Sequence, residues 1–197
     1  MASFLSQPQA PERGLSLCPV AVLFARRDSI YKTFPGCDVY DADRDALSWQ
    51  GGARVIAHPP CRSWGKLRTF AKAPPGEHEL ALWAVDQVRK WGGVLEHPRG
   101  SRLWPVAGLP RPGFRDDFGG WTFPVNQFWF GHKAQKSTLL YICGIEPRDC
   151  PPFPVRFDEP LHGVASDPLR GLLEISKNDR ERTPVEFARW LVELAKK

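Results

Sequence analysis

A short buried strand that ends at two prolines and a cysteine constrains the fold of this chain most. The apolar run at residues 54–57 predicts a strand, and Pro59 and Pro60 end it because proline has no backbone N–H to donate. Cys61 therefore follows the carboxyl end of a strand, the edge at which open α/β sheets bind their ligands. The twenty prolines of the chain also favour irregular connections over a helical bundle.

Three basic residues follow Cys61 and indicate a reactive thiol. They are Arg62, Lys66 and Arg68. Nearby cations favour the thiolate, which is the nucleophilic form of cysteine. We therefore predict that Cys61 is a nucleophile with a depressed pKa. The alternative is a small, inert, buried cysteine.

The first strands have the outline of a nucleotide-binding βαβ unit. An apolar strand at residues 18–25 precedes a short helix at 30–34. A second strand at 37–40 then runs into an acidic end that contains Asp41 and Asp43. This order predicts a parallel sheet whose first turn binds a ligand.

The turn after the first strand carries two arginines and no glycine. Glycines normally let this turn approach an adenosyl cofactor, so their absence predicts weak or absent binding of such a cofactor. Arg26 and Arg27 suit a phosphate at a helix amino terminus instead. The alternative is that both arginines pair with the acidic residues at 41–45 or face solvent.

A second candidate residue, Glu96, lies one crossover helix beyond Cys61. Apolar residues recur at helical spacing across residues 77–91, which predicts an amphipathic helix that ends at two glycines. The strand opened by residues 94–95 then runs directly into Glu96. Ends of neighbouring parallel strands lie side by side, so we expect Glu96 near Cys61, where a carboxyl can protonate or hydrogen-bond a ring. A surface glutamate is the alternative.

The remaining segments complete one domain. Residues 99–124 form a basic insert, rich in proline and glycine, that we expect to be irregular. A polar linker at 176–182 precedes a last helix with Thr183 as its N-cap. We predict a flexible leader at 1–16 and a single α/β domain at 17–197, with a Rossmann-like, mostly parallel sheet flanked by helices.

Composition limits the environment and the partners. The net charge of +5 and the pI near 9.1 suit a polyanion such as nucleic acid or a nucleotide. The five cysteines include no CxxC pair, so we expect no metal. Neither a signal peptide nor an apolar run of membrane-spanning length is visible, so we expect free thiols in the cytoplasm and no membrane partner.

Several stretches resemble the DNA cytosine-5 methyltransferases, and especially the short methyltransferase-like proteins of phages and prophages. They are HPPCRSWG at 58–65, LEHPRGS at 95–101 and QFWFGHKAQKSTLLYICG at 127–144. The stretch SKNDRERTPVEFARWLV at 176–192 is similar to the phage group in particular. The resemblance covers much of residues 55–192 and implies a methyltransferase-like fold and, for a phage protein, the cytoplasm of a bacterial host.

The resemblance also implies a mechanism. In that family the PPC cysteine, here Cys61, adds to carbon 6 of the pyrimidine, and the glutamate of the next motif, here Glu96, engages ring nitrogen 3. Carbon 5 then accepts a methyl group. Lys136 is the third catalytic residue that the resemblance implies, and S-adenosylmethionine is the implied cofactor. The positions that match the cofactor site are Phe24, Asp41, Asp43 and Pro60.

The expected partner is DNA or a pyrimidine nucleotide. A base in duplex DNA has to be flipped out of the stack to reach the cysteine. The residues expected to contact nucleic acid or phosphate are Arg26, Arg27, Arg62, Lys66, Arg68 and Lys133.

Three functions remain open. The first is cytosine modification with S-adenosylmethionine as the donor. The second retains the Cys61 and Glu96 chemistry but uses another donor or a free nucleotide, whose phosphate binds Arg26 and Arg27. The third is a catalytically silent DNA-binding derivative. We favour a DNA-modifying protein of the methyltransferase-like kind.

Overall fold

A six-stranded sheet, four of whose neighbouring strands are parallel, forms the centre of the fold. The computed structural model describes residues 19–65, 68–164 and 171–197, so the predicted leader, Cys18 and Lys66 lie outside the described residues. In spatial order the strands are β2 (Cys37–Val39), β1 (Val20–Leu23), β3 (Arg54–Ala57), β4 (Gly93–Pro98), β6 (Ser137–Cys143) and β5 (Trp121–Asn126). β6 runs antiparallel to both of its neighbours, β4 and β5. The mixed α/β architecture with a mostly parallel sheet is therefore confirmed.

Helices cover both faces of this sheet. The long ones are α1 (Glu77–Trp91) and α4 (Val185–Ala195), and the short ones are α2 (Leu103–Val106) and α3 (Lys177–Glu181). Short 3-10 helices lie at Ile30–Thr33, Ala46–Ser48, Arg68–Phe70, Gln127–Phe130 and Pro147–Asp149. A separate pair of strands consists of β7 (His162–Gly163) and β8 (Leu173–Glu174). None of the helices in the described ranges combines the length and hydropathy that a membrane span requires.

The alternation of side chains along the strands divides the core into two layers. Val55 and Ala57 of β3 pack in the layer of α1 with Val88, whereas Ile56 packs in the layer of α4 with Leu191. Because both faces of the central strands are covered, these strands read as continuous apolar runs in the sequence.

Gly93 brings β3 and β4 together at the start of their pairing. Its φ of +120° and its position are available only to glycine, because a Cβ there would lie 2.0 Å from the carbonyl oxygen of Val55. The end of α1 and the start of β4 are thereby fixed against β3.

Three predicted elements differ in the structure. The first strand, predicted at 18–25, ends at Leu23 because Phe24 adopts a left-handed backbone conformation with a φ of 60°. The polar linker at 176–182 contains α3, which begins with a hydrogen bond from the Asp179 N–H to the Ser176 hydroxyl. The insert at 99–124, predicted to be irregular, contains α2 and the start of β5.

Candidate functional site

The carboxyl ends of β1, β3 and β4 meet at one edge of the sheet. From β1 the chain crosses to β2 on one side, and from β3 it crosses to β4 on the other side. The direction of the crossovers therefore switches between β1 and β3, and ligands of open α/β sheets bind at such a switch point. The register pairs Ala57 of β3 with Leu95 of β4, so the next residues, His58 and Glu96, are neighbours. Cys61 follows a few residues later on the same edge.

The sequence predicts that Glu96 ends its strand, but in the structure it does not. β4 continues to Pro98 because β6 pairs with it beyond the end of β3, with Glu96 opposite Leu140 and Pro98 opposite Thr138. Glu96 is nevertheless the first residue of β4 beyond its pairing with β3. Its side chain is therefore available to the loop that follows β3.

The loop that carries Cys61 is held by contacts on both sides of the cysteine. The N–H groups of Trp64 and Gly65 both donate to the Cys61 carbonyl, and the indole of Trp64 packs in the layer of α1. Arg62 forms an ion pair of 2.9 Å with Glu77 of α1. Cys61 itself is exposed. The loop thus presents an accessible cysteine on a fixed support.

The pKa of the Cys61 thiol is raised, so the predicted depression is wrong. Desolvation of the sulfur by the surrounding atoms is the main cause, and the negative charge of Glu96 adds to it, while the positive charge of Lys136 lowers the pKa. Among the basic neighbours that the structure describes, Arg62 does not supply the expected effect, because it turns toward Glu77. Arg68 lies in its own short helix and is not among the causes of the shift.

Glu96 is a nearly buried carboxylate. Its side chain is 12% exposed, and its two oxygens accept hydrogen bonds from His58 Nδ1 at 3.1 Å and Gln127 Nε2 at 2.9 Å. Burial alone would raise its pKa, but the charge of Lys136 and the hydrogen bond from His58 outweigh burial and lower the pKa to about 2. Near neutral pH the Glu96 carboxylate is therefore ionised and accepts hydrogen bonds, which favours hydrogen bonding over protonation among the two roles that the sequence left open.

Sequence reasoning missed His58 and Tyr31, which together orient Glu96. His58 Nε2 lies 3.1 Å from the hydroxyl of Tyr31, which is fully buried and whose pKa burial raises well above its ordinary value. A carboxylate can only accept, so we assign a proton on Nδ1 to the bond with Glu96. The sequence feature that could have identified His58 is its position directly after β3.

Lys136 belongs to this cluster and Lys133 does not. Lys136 directly precedes β6, and its charge lowers the pKa values of both Cys61 and Glu96. Lys133 is directed elsewhere, with its Nζ 3.0 Å from Oδ2 of Asp179. The structure therefore brings Cys61, Glu96 and Lys136 together at the sheet edge.

The acidic end of β2 is engaged by partners within the protein. Asp41 accepts hydrogen bonds from Lys32 on one oxygen and from the N–H groups of Asp43 and Arg44 on the other. Asp43 forms an ion pair of 2.8 Å with Arg27. A cofactor at this position needs a carboxylate that accepts a hydrogen bond from its ribose hydroxyl. The contacts of Asp41 and Asp43 therefore do not fit the S-adenosylmethionine site that the resemblance implies.

The two other positions matched to the cofactor have apolar side chains. The ring of Phe24 meets that of Trp83 edge to face at 5.9 Å, and Pro60 is half-buried next to Cys61. An apolar cleft of about 500 Å³ is lined by Leu47 and Trp83, but its lining includes none of the clustered catalytic candidates.

Both arginines of the first turn are paired, but only Arg27 has a partner in the acidic stretch at 41–45 that the alternative interpretation named. Arg27 binds Asp43, and Arg26 binds Asp28 at 2.8 Å and Glu181 at 3.1 Å. The helix that follows them is a 3-10 helix of only four residues. A phosphate site at its amino terminus is therefore not supported.

No family model matches the chain, and neither a curated protein nor a solved structure is significantly similar to it. Across the ranges that the structure describes, no His, Cys, Asp and Glu side chains form a group that could hold a metal ion. The functional argument therefore depends on the geometry at the sheet edge and on the resemblance of the motifs.

Proposed function

We propose that this chain modifies cytosine in DNA, with Cys61 as a covalent nucleophile. One cluster carries the proposal: an exposed cysteine, the Glu96 carboxylate on the neighbouring strand, and the Lys136 ammonium within electrostatic reach of both. A nucleophile beside an acceptor and a cation suits covalent activation of a polar ring. The resemblance of the stretches around these three residues supports cytosine as that ring.

The proposed reaction begins when the Cys61 thiol loses its proton to solvent. The sulfur then bonds to carbon 6 of the ring, and the electrons of the C5–C6 double bond move to make carbon 5 nucleophilic. Carbon 5 takes up an electrophile and releases its own hydrogen as a proton, and expulsion of the thiolate restores the double bond. When the electrophile is a solvent proton, the cycle exchanges the hydrogen on carbon 5 with water and needs no further reactant.

Glu96 and Lys136 interact with parts of the ring that carry opposite charges. The ionised Glu96 accepts a hydrogen bond from the 4-amino group of cytosine, which thymine and uracil replace by an acceptor. The ammonium of Lys136 stabilises the negative charge that the addition places in the ring. His58 and Tyr31 are positioning residues that hold Glu96 for this contact.

We propose activation of the ring and assign no donor for carbon 5. S-adenosylmethionine would supply a methyl group, but Asp41 and Asp43 are bound to other residues of the chain. A free nucleotide is disfavoured as the substrate because it offers too few phosphates to compete for Arg26 and Arg27, which are already paired. A DNA strand does not depend on those two arginines alone.

Hydrogen exchange at carbon 5 tests the proposal without any donor. A cytosine-containing single-stranded oligodeoxynucleotide is incubated in deuterium oxide with the protein, and exchange is followed by mass spectrometry. We expect exchange with the native protein and with Cys37→Ala, but none with Cys61→Ala or Cys61→Ser. Binding of the oligonucleotide without exchange in the native protein would reject the chemistry and leave the catalytically silent derivative.

A further inference from the structure

Residues 176–182, which we call the polar strap, contain a helix that buries none of its side chains. This helix is α3, and all of its residues are at least partly exposed. The strap is anchored only at its flanks, by Ile175 before it and Phe187 of α4 after it, both of which are buried. A helix of five residues is not stable alone in water. The position of the strap therefore depends on its polar contacts.

These contacts cross the candidate site. Asp179 binds Lys133 at 3.0 Å, and Lys133 lies just before β6. Glu181 binds Arg26 at 3.1 Å, and Arg26 follows β1. Because β3 and β4 lie between β1 and β6 in the sheet, a strap bonded to Arg26 and Lys133 spans the ends of the strands that carry the Cys61 loop and Glu96.

Two further bonds complete the attachment at the end of β1. The side-chain oxygen of Asn178 accepts a hydrogen bond of 2.7 Å from Arg26, and Arg182 reaches Asp28 at 3.1 Å. Asp28 in turn pairs with Arg26, so this arginine has partners on both the turn and the strap. The strap thus connects two cations at the sheet edge through its own carboxylates.

The strap is held weakly for a segment that crosses the candidate site. Exposed ion pairs contribute about 0–1 kcal/mol each, and salt screens them. None of the side chains of its helix is buried, so burial of apolar surface contributes little to its attachment. A ligand that offers several anionic groups at once could therefore displace it.

We infer that the strap occupies cations that bind the DNA backbone, and that DNA displaces it and thereby widens access to the exposed Cys61. Asp179 and Glu181 present oxygens to Lys133 and Arg26, the same cation types that bind phosphate oxygens. A strand with many phosphates gains from the release of its own counterions when it takes these contacts. The inference rests on the proposed action on DNA and adds the surface that DNA competes for.

The first test measures access to Cys61 through its alkylation by iodoacetamide. Substitution of Glu181 is avoided here, because its charge acts on the thiol without any movement of the strap. We expect Asp179→Asn to speed alkylation about two- to fivefold, since it weakens an exposed ion pair. Glu186→Gln is the matched control, because it removes one negative charge from α4, where Glu186 pairs with Arg189.

The second test measures affinity for a single-stranded oligodeoxynucleotide at low salt. We expect Asp179→Asn to bind about two- to fivefold more tightly than Glu186→Gln, although both variants have the same net charge. Equal affinities and equal alkylation rates for the two variants would overturn the inference. Melting temperatures close to that of the native protein, expected because Asp179 is not buried, show that the variants are folded. Loss of hydrogen exchange at carbon 5 would reject the chemistry but not the strap, so the two failures are distinguishable.

Discussion

The Nδ1 atom of His58 lies 3.1 Å from Oε2 of Glu96 and joins two neighbouring parallel strands at their carboxyl edge. The opposite ring nitrogen of His58 contacts the buried hydroxyl of Tyr31. His58 and Tyr31 therefore orient Glu96 from one side, and the loop that carries Cys61 lies on the other side. The neighbours of Glu96 therefore determine its pKa, and substitution of those neighbours tests this dependence.

The His58 contact predicts a change in the ionisation of Glu96. Replacing His58 by Leu removes a hydrogen-bond donor to the carboxylate, so we expect the pKa of Glu96 to rise. His58→Asn retains an N–H near the position of Nδ1 and should raise the pKa less. Carbon-13 NMR titration of labelled glutamate measures both. Equal pKa values in the two variants would show that the bond does not hold Glu96 ionised.

The low pKa of Glu96 predicts a contribution to stability that depends on pH. The folded-state pKa is about 2 and the ordinary value is about 4.5, so the contribution is complete above pH 5 and is lost as the pH falls toward 2. At one pKa unit per 1.36 kcal/mol, its size is on the order of 3 kcal/mol. Urea unfolding should show a native advantage over Glu96→Gln that narrows across this range. An advantage that is constant from pH 6 to pH 2 would contradict the assignment.

The raised pKa of Cys61 predicts slow alkylation at neutral pH. Because the thiolate is the reactive form, the rate should keep rising with pH through about 9 and show no plateau at lower pH. Lys136→Met removes the charge that lowers this pKa, so its profile should move to higher pH. Peptide mass spectrometry resolves Cys61 from the other cysteines. A plateau below about pH 8 would restore the depressed pKa that the neighbouring cations suggested.

Local patterns predicted the elements whose stability depends on near neighbours in sequence. The helix at 77–91 has its predicted bounds because its apolar spacing and the two following glycines both act locally. The strand before Cys61 is at its predicted place for the same reason. The proximity of Cys61 and Glu96 followed from one general rule, that consecutive parallel strands joined by a helix lie side by side.

Contacts between distant segments were not predictable in this way. The antiparallel insertion of β6 next to β4 carries that strand past Glu96, and no local signal indicates which strand pairs there. Arg26 and Lys133 have basic side chains suited to phosphate, yet their partners Glu181 and Asp179 lie far along the chain. Such pairs depend on tertiary packing, so charge patterns alone did not show that these cations have partners within the protein.

Covalent capture of DNA at Cys61 tests the proposed chemistry most directly. An oligodeoxynucleotide that contains 5-azacytosine is suitable, because its ring nitrogen 5 takes a solvent proton after addition and the thioether persists. We expect the native protein to form an adduct whose mass and peptide map place the base on Cys61, with none in Cys61→Ser and much less in Lys136→Met. No adduct with the native protein, or an adduct that persists in Cys61→Ser, would contradict the assignment of Cys61 as the nucleophile.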